Sequence, residues 1–159
     1  MIGTGKTNIY TEPEGWSVGF SGETEEARTE TARPDAPYDT RLNILHGPLE
    51  VMDVKAMADA VPHKWFNQTL CRVNASVVRV GIIEGEYHWH KHEEEDEFFF
   101  VVEGGLLIDI EGGSEDGHTV ELVPGQGFVV PKKVVHRTRA PQKTIILMVE
   151  NAGIVPTGD

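Results

Sequence analysis

The sequence has a single cysteine, Cys71, so the chain can close no internal disulfide, which fits a reducing compartment. No window approaches the roughly 18 consecutive apolar residues of a membrane span. Hydrophobic residues nevertheless make up 39% of the 159 positions, enough for a core. Basic residues are scarce: 14 Lys and Arg stand against 26 Asp and Glu, a formal net charge of −12. Nucleic acids and anionic membranes attract proteins through basic patches, so neither is expected as a partner. The opening residues, MIGTGKTNIYTEPEGW, hold no apolar stretch of the kind that directs secretion, and a cytoplasmic protein is the expectation.

Large apolar side chains are also sparse before residue 40, where Ile9, Tyr10, Trp16, Val18 and Phe20 are among the few that interrupt a Gly-, Thr-, Glu- and Pro-rich composition. Such a segment cannot bury a core of its own. WSVGF is suited to adding a short strand, because Trp16, Val18 and Phe20 share one face. We read residues 1–40 as an N-terminal extension, partly disordered or strand-adding, and residues 41–159 as one folded domain. GTGKT at Gly3–Thr7 has a superficial P-loop look. A P-loop needs a preceding strand and a glycine five positions before its second glycine, and neither fits so close to Met1.

The folded part predicts one helix. Asp53 can cap it, Val54, Met57, Ala58 and Val61 fall at helical spacing, and Pro62 ends it. Beyond it the chain reads as short strands: SVVRVGII, EYHWHKH, EFFFVVEG, LLIDIEG, HTVELVPG, GFVVP, VVHRTRA and TIILMVE. Turn residues separate them, among them Gly85, Gly104–Gly105, Gly112–Gly113, Gly117, Pro124–Gly125 and Pro141. Many short strands at close spacing mean a β-sandwich or barrel. FFFVV and IILMV are apolar on both faces, which predicts burial on both sides, against a second subunit.

The stretch EYHWHKHEEEDEFFFVVEG carries the chemistry. In a strand, His88, His90 and His92 share a face while Trp89 and Lys91 take the other. Neutral imidazole is the commonest protein metal ligand, and two at alternate positions can reach one ion. A carboxylate from the next strand would add a further ligand. The plain alternative is three surface histidines on an edge strand, followed by a solvated acidic turn. Alternation alone does not separate the two.

The larger pattern resembles the cupin superfamily, whose first motif is roughly G-x5-H-x-H-x3–4-E-x6-G and whose second is G-x5-P-x-G-x2-H-x3-N. His90, His92, Glu97 and Gly104 fit the first motif from its histidines onward, while its opening glycine is displaced by one, to Gly85. Gly125, Pro131 and His136 fit the second, with Lys133 in place of the motif glycine and Ala140 in place of the asparagine. The resemblance covers about residues 80–140. It implies an all-β double-stranded β-helix, a jelly-roll barrel of six to eight strands with a short helix before it. It also implies metal ligands at His90, His92, Glu97 and His136. His88 would stand one step along the same face, as a substrate contact or the acid/base group. His46, His63 and His118 show no ligand spacing.

Three histidines and a glutamate leave two positions open on an octahedral ion. The cofactor expected is one divalent metal, Fe, Mn, Ni, Zn, Co or Cu, because affinity alone does not choose among them. A redox metal beside an oxygen-chelating substrate suits a dioxygenase. A Lewis acid suits a sugar-phosphate isomerase or epimerase. A small-ligand binding or sensing module without turnover is the third reading. The expected partners are a small-molecule substrate and a second copy, as a homodimer. PKKVVHRTR is the most basic stretch. Its cations would balance the acidic turn at 93–96, or Lys133 or Lys91 would draw an anionic substrate. Arg137 and Arg139 should point away from His136, and Phe98, Phe100, Phe128 and Met148 should supply wall or core.

Overall fold

A computed structural model describes residues 38–62, 64–112, 117–154 and 156–158. The expectations for residues 1–37, including WSVGF and GTGKT, lie outside the described residues. The elements are β1 (Asp39–Arg41), α1 (Val54–Ala60), β2 (Trp65–Val73), β3 (Ser76–Glu86), β4 (Glu97–Glu103), β5 (Leu106–Ile110), β6 (His118–Leu122), β7 (Gly127–Val130) and β8 (His136–Asn151). The fold is all-β, a jelly roll whose strands join in one 8-stranded sheet ordered β1-β2-β3-β8-β4-β7, with β5 paired to both β6 and β8. β1, which runs across residue 40, lies parallel to β2, and every other named pair is antiparallel.

The alternation of side chains along each strand sorts the interior from the exterior. One apolar cluster fills the barrel, with Ile83, Phe99, Val101, Leu106, Ile108, Leu122, Val130, Ala140, Ile146 and Met148 buried. The opposite face of the sheet has its own cluster, in which Phe66, Leu70, Val80, Ile82 and Ile145 pack with Ala58 of α1. α1 forms where the sequence places it. Asp53 accepts from Ala56 N–H at 2.9 Å, the N-cap bond that satisfies an otherwise orphaned donor. Its apolar side lies on the sheet through Val54, Met57 and Val61. This answers the two-faced apolar run in β8: Ile146 and Met148 face the barrel, whereas Ile145 and Leu147 belong to the cluster under the helix. An intrachain helix, rather than a second subunit, covers that stretch.

Three strand expectations change. β2, WFNQTLCRV, was not anticipated, because Asn67, Gln68 and Arg72 break the apolar alternation. VVHRTRA and TIILMVE are not two strands but one of 16 residues. Pro141 lies where β8 stops pairing with β5, at Arg139, and before it begins pairing with β4, at Ile145. Its missing N–H therefore breaks no ladder bond. EYHWHKH is not a strand: β3 ends at Glu86, and only an isolated bridge, His90 to His136, continues the pairing. Gly104 ends β4 at φ +88°, and a Cβ there would stand 2.8 Å from Lys143 O. That gives the closing glycine of the first motif its physical reason.

Candidate metal centre

Two strand starts and one loop build the site. β4 begins at Glu97, and its buried positions Glu97, Phe99 and Val101 face the barrel. β8 begins at His136, followed inward by Thr138 and Ala140. Segment 87–92 is tied down by backbone bonds. Tyr87 N–H donates to Thr138 O at 2.8 Å, His90 N–H to His136 O at 3.0 Å, and His136 N–H to His90 O at 2.9 Å. Lys133 N–H donates to His92 O at 2.7 Å. The loop histidines are thus positioned against β8 without being part of a strand.

His90, Glu97 and His136 bring ligand atoms within 4.8 Å of one another. Glu97 Oε2 lies 3.2 Å from His136 Nε2 and 3.5 Å from His92 Nε2. The ring centroids of His90 lie 4.3 Å from His136 and 5.2 Å from His92. His92 therefore reaches the cluster through Glu97. His88 Nε2 is 2.8 Å from Thr157 O, and its ring sits 4.3 Å from that of Tyr87 and 5.4 Å from that of His90, while the residues lining the cavity beside the cluster do not include it.

The donor set suits a cation. His136 Nδ1 is 3.0 Å from Val134 O and His90 Nδ1 is 3.1 Å from His88 O. A carbonyl only accepts, so each Nδ1 carries the proton and each Nε2 presents its lone pair to the site. In a neutral His136, that lone pair faces a carboxylate oxygen, a repulsion that either a proton or a metal ion between them removes. Burial alone would push the Glu97 carboxyl up, but its contacts with His136 and His92 outweigh burial and hold it below the usual carboxylate range. Burial, reinforced by His136, lowers His90 to about 4. It is neutral at pH 7, the form that ligates metal.

Beside the cluster lies a cavity of about 40 Å³. Its walls include Tyr38, Trp65, Tyr87, Phe99, Ile146 and Met148, with His90 and Glu97 at the cluster and Glu150 and Asn67 as further polar groups. Sequence reasoning missed Glu150. The register Phe98 to Val149 places it next to Glu97 on the neighbouring strand, and Arg79 Nε lies 3.3 Å from its Oε1. Arg79 and Glu150 are 2% and 3% exposed. Burial first, then the Glu97 charge, raises Glu150 to about 7, with Arg79 opposing. Even-number parity with His136 was the available signal for Glu150. The inward phenylalanine is Phe99, not Phe98 or Phe100, by the same parity from Glu97.

The basic stretch divides. Arg137 and Arg139 turn away from the cluster and donate to Asp109, at 2.8 and 2.6 Å. Lys132 meets the acidic turn, its N–H donating to Asp96 at 2.9 Å and its Nζ lying 3.6 Å from Glu94. Lys91 pairs with Glu93.

The Cupin domain family profile matches residues 77–150, which span both motifs and all four expected ligands. The chain is 38% identical over 102 residues to the uncharacterized protein YdbB of Bacillus subtilis (strain 168), covering 64% of this chain and 87% of that one. Among solved structures, a cupin-2 domain containing protein from Shewanella frigidimarina NCIMB 400 aligns with a TM-score of 0.58 at 27% identity, over 64% of this chain and 94% of its own. Protein NMB1881 from Neisseria meningitidis aligns with a TM-score of 0.56 at 27% identity, over 64% of this chain and 99% of its own. The protein belongs to the cupin superfamily. Among the described residues no helix is long and apolar enough to cross a membrane.

Proposed function

We propose that the protein holds one divalent metal through His90, His92, Glu97 and His136 and is a dioxygenase-like oxidoreductase acting on a small oxygen-chelating substrate. The observation that carries this reading is the convergence on Glu97 Oε2 of imidazole Nε2 atoms, with Nδ1 of His136 bound to a backbone carbonyl. Bound there, a redox-active ion such as Fe or Mn would supply the electron transfer that dioxygen chemistry requires. The protein's own contribution is orientation and exclusion of water. The backbone bonds of residues 87–92 to β8 hold the imidazoles, and Phe99, Ile146 and Met148 give the cavity a dry wall.

The sugar-phosphate isomerase reading ranks lower for an electrostatic reason. Among the described residues lining the cavity there is no Lys or Arg, while Asp39, Glu97 and Glu150 are there. A phosphate dianion would find no cation besides the metal. A ligand-binding module without turnover is the remaining alternative. The homodimer expectation has surface to use in Leu42, Ile44, Leu45, Leu49 and Val51, exposed along one strap. Light scattering on the eluting protein tests it. For the activity, an oxygen electrode with Fe, Mn, Ni and Cu forms and a panel of catechols, enediols and 2-oxo acids is decisive. Uptake above that of free metal supports the proposal. No uptake in any form removes the oxidoreductase reading.

A further inference from the structure

Backbone bonds to β8 hold one side of the histidine segment 87–92. Residues 156–158 hold another. After β8 ends at Asn151, Ala152 N–H donates to Ala75 O at 3.0 Å and Ile154 N–H to Asn151 O at 3.1 Å, and the Ile154 side chain is buried. Beyond this anchor the chain meets the histidine segment at three points. Tyr87 OH donates to Pro156 O at 3.2 Å. His88 Nε2 lies 2.8 Å from Thr157 O, and because a carbonyl only accepts, that nitrogen carries the proton. Gly158, at φ +86°, backs His90: a Cβ on it would stand 2.7 Å from His90 Cβ and 3.1 Å from Lys91 O. Both its backbone conformation and its surroundings therefore call for glycine.

These contacts reach the ligand His90 through a relay. His90 Nδ1–H donates to His88 O at 3.1 Å, and the partner of one ring nitrogen sets where the other points. The acceptor in that bond belongs to His88, whose own side chain is tied to Thr157 O. We infer that His88 is a positioning residue of the metal centre: its bond to Thr157, with Gly158 packed behind His90, forms a clamp that aims His90 Nε2 at the ion. This rests on the metal reading proposed above and adds to it a task for the one histidine of the segment that is not among the four ligands. Partners that orient a ligand without touching the metal are worth about 10–100-fold in affinity. The His88 bond is a single, exposed one, which places its effect at the lower end, about tenfold.

The experiment uses Co(II) alone, with no substrate, and reads two quantities: its affinity, by competition with a chelator, and the positions of its visible absorption bands, which report coordination. His88→Ala removes the tether, and Gly158→Ala drives a Cβ against His90. Each should weaken Co(II) binding about tenfold and shift the bands. His88→Gln keeps a side-chain N–H donor for Thr157 O and should stay within about twofold of the wild type in affinity, with its bands in place. Gly153→Ala is the control on the same segment, since a Cβ there meets nothing within 4 Å, and it should change neither quantity. Unchanged affinity and bands in either His88→Ala or Gly158→Ala would overturn the clamp. So would weaker binding with unmoved bands, which is what a merely structural role gives. A loss in His88→Gln equal to that in His88→Ala would mean that the imidazole itself is needed, and would overturn the positioning role. No Co(II) binding by the wild type would overturn the metal reading, and the clamp with it.

Discussion

Lys133 stands where the second cupin motif has glycine, and its backbone adopts φ +68°. For an L-residue the left-handed region costs about 1–2 kcal/mol, through the crowding of Cβ against the carbonyl. The turn is held there by its own N–H, which donates to His92 O at 2.7 Å and does not depend on the side chain. The side chain is exposed and contributes little burial. Replacing Lys133 with Gly removes the steric cost but adds unfolded-chain entropy, about 0.5–1 kcal/mol against it. The net expectation is a gain of about 0.5–1 kcal/mol, or a rise in Tm of about 1–4 °C for a domain of this size. Calorimetry on chelator-treated protein avoids a metal-binding contribution. Lys133→Ala is the control, because alanine keeps the Cβ and should give no rise. Equal shifts for the two variants, or a fall for Lys133→Gly, would refute the strain argument.

Other consequences are open to measurement. Gly104→Ala should lower Tm by several degrees, because both the positive φ and the 2.8 Å approach to Lys143 O exclude a Cβ; an unchanged Tm would contradict it. Asp109 is bonded by Arg139, Arg137 and Thr119, and these hold its carboxyl well below its ordinary value of 3.8. A depressed native pKa gives stability that is present above the unfolded value and lost as pH falls toward the native one. The denaturation gap between wild type and Asp109→Asn should therefore be constant from pH 7 to about pH 5 and narrow below about pH 4. A gap that widens in acid would reverse the assignment. Asp53→Ala should cost about 1 kcal/mol by urea denaturation through loss of the cap on α1, and no change would mean that packing alone holds the helix.

The residues that proved legible in the sequence share one property: their signal is local. Asp53 and Pro62 bound the helix because capping and proline chemistry act within one turn. Glu97 and His136 sit at strand starts, and motif spacing finds them. The histidine segment was harder. Alternation at His88, His90 and His92 suggested one strand face, yet the segment is a loop pinned by His90–His136 pairing and by Lys133, contacts distant in sequence. His90 and His92 reach the cluster by those pins, while His88 turns to Thr157. β2 escaped notice because Asn67 and Gln68 break its apolar alternation; Gln68 is buried and donates to Asn43 O and Thr69 O. The Arg79–Glu150 pair belongs to strands β3 and β8, and nothing in the sequence near either residue announces the other.

The central claim is that His90, His92, Glu97 and His136 hold one metal ion, and crystals grown with Zn(II) test it most directly through anomalous scattering at the zinc edge. The account predicts a single strong peak, about 2.0–2.2 Å from the Nε2 atoms of His90, His92 and His136 and from a Glu97 oxygen. A peak held by His88 or by the acidic turn at 93–96, or none inside the barrel, would contradict it.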